Sequence, residues 1–162
     1  INSLDHLMTQ AARQGLRIVF NPSPTDESIF RLPLGEAWLL IFNEIEGAAL
    51  AGCDDEEGIL NTLRQRWPRC RLLLTLGSHG CVYDDGQRRL RQGIYQAETV
   101  DTTAAGDTFT GYFVACMAAG RPEEECLDLA SRAAAIAVSR PGAAPSIPTM
   151  DEVQRCTLRR GE

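Results

Sequence analysis

The stretch Asp101-Thr102-Thr103-Ala104-Ala105-Gly106-Asp107-Thr108-Phe109 decides how this chain is read. Two alanines and a glycine stand directly before an aspartate, where an apolar helix begins. Small residues let a backbone approach an anion closely. The first N–H groups of a helix lack intrahelical partners, and the helix dipole favours negative charge there. A carboxylate beside such a cradle can take a proton while the cradle holds charge developing on a phosphoryl group. An ordinary helix cap is the competing reading, since Asp and Thr are good N-caps. Taken alone, the stretch leaves both open.

Outward from it, short apolar runs alternate with helical patterns. Leu4, Leu7, Met8 and Ala11 recur at helical spacing before Gly15. A short buried strand is expected over 16–20, broken by Asn21-Pro-Ser-Pro24, and a second over 37–42, ending at Asn43. Helices are expected over 44–51, stopped by Gly52, and over 56–67, stopped by Pro68. A third strand over 71–76 leads into Gly77-Ser-His-Gly80, and a hairpin follows around Asp84-Asp85-Gly86. Residues 94–100 read as extended, 108–119 as a buried helix, 121–139 as the next helix, 140–146 as a loop and 150–158 as a short terminal helix. This alternation predicts one α/β domain over 1–162, with a mainly parallel sheet and flanking helices. In such sheets ligands bind beyond the carboxyl ends of the strands. Asn21, the 43–46 segment and the 75–80 segment fall at those ends.

Composition narrows the function. The 162 residues carry a net charge of −6, 44% hydrophobic and 23% charged residues, which suits one soluble globular domain. No clustered basic run exists to neutralise several phosphates, so nucleic acid is not an expected partner. Arg88-Arg89-Leu90-Arg91 reads instead as a solvated hairpin arm. No apolar run approaches a bilayer span, so no membrane association is expected. The start at Ile1 shows no signal-peptide pattern and no initiator Met, the expectation for a piece of a longer cytoplasmic protein. The six cysteines form no C-x-x-C pair and only two histidines exist, so zinc is not expected, and a reducing compartment is. Neither G-x-G-x-x-G nor G-x-x-x-x-G-K-[ST] occurs, which argues against dinucleotide and P-loop sites. The chain has no Lys at all. Any phosphate bound here would be held by backbone N–H groups, a metal ion and an arginine such as Arg140.

Four segments together resemble the ribokinase-like carbohydrate kinases. The 101–109 run resembles that family's C-terminal signature, and Thr75-Leu-Gly-Ser-His-Gly80 its nucleotide loop. Asn43-Glu-Ile-Glu46 is similar to its N-x-x-E motif, and Arg140-Pro-Gly-Ala-Ala-Pro-Ser146 to the loop flanking nucleotide and monovalent cation. The resemblance implies a Rossmann-type three-layer fold and an enzyme that phosphorylates a sugar hydroxyl with ATP. Ribose is favoured on the spelling of the signature and of the Arg140 loop. Asp107 would be the general base, and Ala104, Ala105 and Gly106 the cradle for phosphoryl charge. Asn43 and Glu46 would face the phosphates and Mg²⁺, largely through water. Thr75, Gly77, Ser78 and Gly80 would line the nucleotide, with Ser131 on its adenine side and His79 exposed. Asp101 and Thr103 would hold K⁺, together with backbone oxygens of Ala137, Arg140 and Gly142 and the hydroxyl of Ser146. Each assignment has a plainer alternative: helix caps for Asn43 and Glu46, a tight turn for the 77–80 glycines, local turn bonding for Asp101 and Thr103.

The resemblance also implies what is missing: the N-terminal sugar-binding strands and the small β lid. An exposed sheet edge would then invite self-association as a dimer. A truncated, non-catalytic nucleotide-binding or interaction module is therefore the competing reading for the chain by itself.

Overall fold

A computed structural model describes residues 3–161. Ile1, Asn2 and Glu162 lie outside the described residues. The chain divides into two compact units, Ile1–Gly77 with Cys81–Arg91, and Ser78–Gly80 with Gln92–Glu162.

The first unit carries a five-stranded sheet in the order β1-β2-β3-β4-β5, formed by Val19–Phe20, Leu39–Asn43, Arg71–Thr75, Cys81–Asp84 and Arg89–Gln92. β1, β2 and β3 pair in parallel and β4 runs antiparallel to β3. The mainly parallel α/β architecture expected from the sequence is present. Its helices are α1 (Leu4–Arg13), α2 (Glu44–Ala51) and α3 (Glu56–Arg66).

Both ends of α2 are written in its residues. The Asn43 side chain accepts the Glu46 N–H, and the Glu46 carboxylate accepts the Asn43 N–H, each at 2.9 Å. This reciprocal box satisfies two N–H groups at the helix start. Gly52, at φ +78, closes the other end. Leu40, Phe42, Leu72 and Leu74 of the strands pack with Leu50, Ile59, Leu60 and Leu63 of the helices in one core. Burying each such side chain is worth about 1.5–3 kcal/mol, which is why β2 reads as a continuous apolar run.

Several expected boundaries move. The first strand shrinks from 16–20 to Val19–Phe20, and Leu16 is 60% exposed. Among the described residues β1 is an edge strand with a partner on one side, so pairing fixes few of its residues. Leu7 faces out too, leaving Met8 as the buried residue of α1. The basic hairpin arm is not simply solvated. Arg89 meets Asp84 at 2.8 Å and Glu57 at 2.7 Å, and Arg91 pairs with Glu56.

The second unit contains α4 (Ala105–Ala118), α5 (Glu123–Val138) and α6 (Met150–Gln154). α4 packs on α5, and α5 on α6. Phe113, Cys116, Cys126, Leu127, Ala130 and Ala133 are buried. α4 starts three residues earlier than the apolar pattern suggested, because Ala104 O already accepts the Thr108 N–H. α6 stops at Gln154 instead of running to 158. The 94–100 segment forms no strand. It is held by a bridge from Tyr95 to Arg160 and by Gln96 N–H donating to Arg159 O at 2.8 Å.

Candidate functional site

In the first unit, two parallel strands end side by side. Asn43 closes β2 and is the register partner of Thr75, which closes β3. The next residues are Glu46, nine-tenths buried in the first turn of α2, and Gly77, exposed at φ +51. The capping box engages Asn43 Oδ1 and Glu46 Oε2. It leaves the Asn43 amide N–H groups and Glu46 Oε1 for other partners. The plain capping role is therefore real, and each side chain keeps one polar end beyond it.

In the second unit, Ser78 and His79 are exposed. Gly80 sits at φ +86, and a Cβ there would lie 2.0 Å from the Gln92 carbonyl oxygen. Only glycine fits this close approach.

The signature run splits into two parts. Asp101 Oδ1 accepts the Thr103 N–H at 2.9 Å and the Thr103 hydroxyl at 2.5 Å, and Oδ2 accepts the Gly142 N–H at 2.9 Å. The Thr103 hydroxyl, the Thr103 N–H and the Gly142 N–H hold the Asp101 carboxyl below its ordinary range. The start of α4 follows. Ala104, its N-cap residue, provides no side-chain cap. Ala105 N–H donates to Thr102 O at 3.2 Å, which occupies one member of the expected cradle. Gly106 and Asp107 are exposed. The Asp107 side chain makes no hydrogen bond or ion pair among the described residues. Thr108, the next residue, is 3% exposed and its hydroxyl has no partner among them.

The structure thus brings Asp101, Thr103 and Gly142 together, and other candidates already hold a partner of their own. The Ser146 hydroxyl donates to Ala143 O at 2.7 Å within its own loop, and Ala137 O accepts the Arg140 N–H at 3.1 Å. The Arg140 guanidinium, expected to reach phosphates, is paired with Glu152 at 2.6 Å. Ser131 is only 7% exposed within α5. Sequence reasoning missed Glu152. Its signal was the Thr149-x-x-Glu152 spacing of a capping box, which the structure contains.

A profile of pfkB family carbohydrate kinases matches residues 2–150. The chain belongs to the pfkB family. Ribokinase of Schizosaccharomyces pombe (strain 972) is 34% identical over 157 residues, covering 88% of this chain and 47% of that protein. The structure of Arabidopsis thaliana ribokinase complexed with ribose and ATP matches at TM-score 0.79 and 30% identity, over 93% of this chain and 52% of that one. A ribokinase II candidate of E. coli in complex with ATP and Mg²⁺ shares the fold at TM-score 0.82 and 22% identity, over 91% and 50% of the two chains. The chain spans about half the length of the curated relatives it matches. No helix among the described residues is long and apolar enough to cross a membrane.

As a pfkB chain, it can be tested for fit to the metals its resemblance implies. Glu46 Oε1 is one carboxylate oxygen left over from the capping box, which suits an ion that keeps most of its waters, as Mg²⁺ does. Asp101 and Thr103 are hard oxygen donors already gathered at one point. Both sets fit the ions in donor chemistry.

Proposed function

We propose that the full-length protein phosphorylates a sugar hydroxyl with ATP, ribose being the favoured acceptor, and that this chain supplies its nucleotide-binding and catalytic part. The observation that carries the reading is Asp107: an exposed, unpartnered carboxylate in the first turn of a helix whose start has no side-chain cap. Its carboxylate would accept the proton of the sugar hydroxyl as that oxygen attacks the γ-phosphorus. The N–H groups at the start of α4 would hold the charge on the transferring group. Phosphoryl transfer demands mainly positioning and charge stabilisation, so a base and a donor cradle on one rigid helix end are the parts the chemistry needs.

Asn43 and Glu46 would hold Mg²⁺ through water. Mg²⁺, when bound, neutralises charge on the phosphates. Thr75, Gly77, Ser78 and Gly80 would line the nucleotide, with Ser131 toward the adenine. K⁺ would sit with Asp101, Thr103, the carbonyls of Ala137, Arg140 and Gly142, and the Ser146 hydroxyl. The bond from Asp101 to Gly142 supports that grouping. The family profile runs across both compact units, which supports reading 1–162 as one domain, and the same reading assigns a cytoplasmic protein. Self-association as a dimer is supported by the short edge strand β1 and exposed Leu16. A sharp monomeric mass in light scattering would refute it.

Asp107→Asn in the full-length protein keeps shape and removes the base. Turnover with ribose and ATP should fall by roughly 10²–10⁴-fold while ADP affinity is kept. Unchanged turnover would overturn the assignment. The competing reading is a truncated, non-catalytic nucleotide-binding or interaction module. ADP binding with no phosphorylation of any sugar by the full-length protein would establish it.

A further inference from the structure

We propose that Glu152 is a positioning residue, which fixes the 140–146 loop so that the Gly142 N–H is delivered to the Asp101 carboxylate. This rests on the reading of Asp101 and Thr103 as cation ligands.

One carboxylate serves two elements. Glu152 Oε2 accepts the Thr149 N–H at 2.7 Å and its hydroxyl at 3.0 Å, capping α6. Glu152 Oε1 accepts from Arg140 Nη2 at 2.6 Å. Arg140 opens the loop, and two residues on, the Gly142 N–H donates to Asp101 Oδ2. Asp101 in turn holds Thr103 through Oδ1, directly ahead of α4. Hydrogen bonds from Glu152 to Arg140 and from Gly142 through Asp101 to Thr103 are thus linked by the short backbone stretch 140–142.

The far end of that run is anchored as well. Tyr112 on α4 donates its hydroxyl to Pro148 O at 2.5 Å, just ahead of α6. The Glu152 backbone is thus tied to the helix whose first turn carries Asp107. The loop itself is exposed over 141–145, and its Ser146 hydroxyl bonds inward to Ala143. Arg140 with Glu152 and Gly142 with Asp101 are the two hydrogen bonds with side chains that tie it outward among the described residues. The loop is a short span between two pins, so freeing one raises the freedom of the other.

Glu152→Gln separates the two jobs, because Gln at the third helical position still completes a capping box but carries no charge for Arg140. The pair is partly exposed, so the effect is modest. In the full-length, ligand-free protein, the Gly142 amide should exchange with deuterium about two- to five-fold faster. The K⁺ concentration giving half-maximal ADP affinity should rise by a similar factor, with kcat at saturating K⁺ and ATP little changed. Arg140→Gln should speed Gly142 exchange to the same extent, and the double variant should exchange no faster than either single, since both break one contact. Thr149→Ala weakens the cap without touching Arg140 and should leave Gly142 exchange as it was. Unchanged exchange in Glu152→Gln, additive single effects, or an equal effect of Thr149→Ala would each overturn the proposal. If the protein binds no nucleotide, the functional reading fails, yet the exchange measurement still decides the role of Glu152.

Discussion

Asp101 Oδ2 accepts the Gly142 N–H at 2.9 Å across 41 positions of sequence. The loop after α5 and the loop before α4 are fastened at that point. Both the cation reading and the role of Glu152 depend on it.

The fastening should fail in acid. Three hydrogen-bond donors hold the Asp101 carboxyl below its ordinary 3.8, and the Arg140 guanidinium, with the Thr149 N–H and hydroxyl, pulls Glu152 from 4.5 to about 2. Both values are depressed in the folded chain. Their contributions are therefore present above pH 4.5 and 3.8, and are lost as pH falls toward the folded values. The Gly142 amide resonance should move with a midpoint below pH 3.8 and stay flat in Asp101→Ala. A midpoint above 3.8 would contradict the hydrogen-bonded geometry.

Gly80→Ala should destabilise more than Gly77→Ala. Both residues have positive φ, which costs a side chain roughly 1–2 kcal/mol. At Gly77 a Cβ meets nothing within 4 Å, while at Gly80 it lies 2.0 Å from a backbone carbonyl oxygen. Backbone cannot swing aside as a side chain can. Thermal melts of the two variants should differ by several degrees, and equal melts would remove the contact argument.

Asp84 should matter more to stability than either arginine it joins. Its side chain is 5% exposed and bonds Arg64 at 2.6 Å and Arg89 at 2.8 Å. Burial alone would raise its pKa, but bonds from Arg89, Gly86 and Arg64 outweigh burial and lower it. Asp84→Ala removes the one buried carboxylate that both guanidinium groups share, leaving Arg64 its backbone carbonyls and Arg89 its bonds to Glu57 and Asn61, and with their partial exposure the loss should be about 2–4 kcal/mol in urea unfolding. Arg89→Ala should cost less, since it leaves Asp84 paired with Arg64. The Asp84 contribution is present above pH 3.8 and lost below it.

Two buried thiols set an alkaline limit. Burial pushes Cys70 up to about 11 and Cys126 up to about 12. Folding favours their protonated forms, so stability is full below pH 9 and falls as pH rises toward those values. At neutral pH, iodoacetamide should label the half-buried Cys53 and Cys156 well before either. Equal labelling rates in the native protein would count against this burial.

What could be read in advance follows from where the signals lie. The limits of α2 were legible because Asn43, Glu46 and Gly52 spell both caps. The start of α4 was not, because Ala104, Ala105 and Gly106 offer no capping side chain and the apolar pattern begins only at Thr108. β1 looked longer than it is, since an apolar run does not reveal that its strand has one neighbour. Within the site, the resemblance names Asp101, Thr103 and the Gly142 carbonyl together, and the chain joins Asp101 to Thr103 and to the Gly142 N–H. Arg140 was assigned to phosphate because nothing in its neighbours in sequence names Glu152, 12 residues on, as the acid that holds it. The Thr149-x-x-Glu152 spacing announced a helix start and said nothing of the second oxygen.

The strand order β1-β2-β3-β4-β5 has a consequence for synthesis. Each strand finds its sheet partner in the one made just before it. A nascent chain leaving the ribosome can add strands one by one, with no later strand having to insert between two earlier ones. Each closure spans only the local crossover or hairpin, which keeps the entropic cost of each step small.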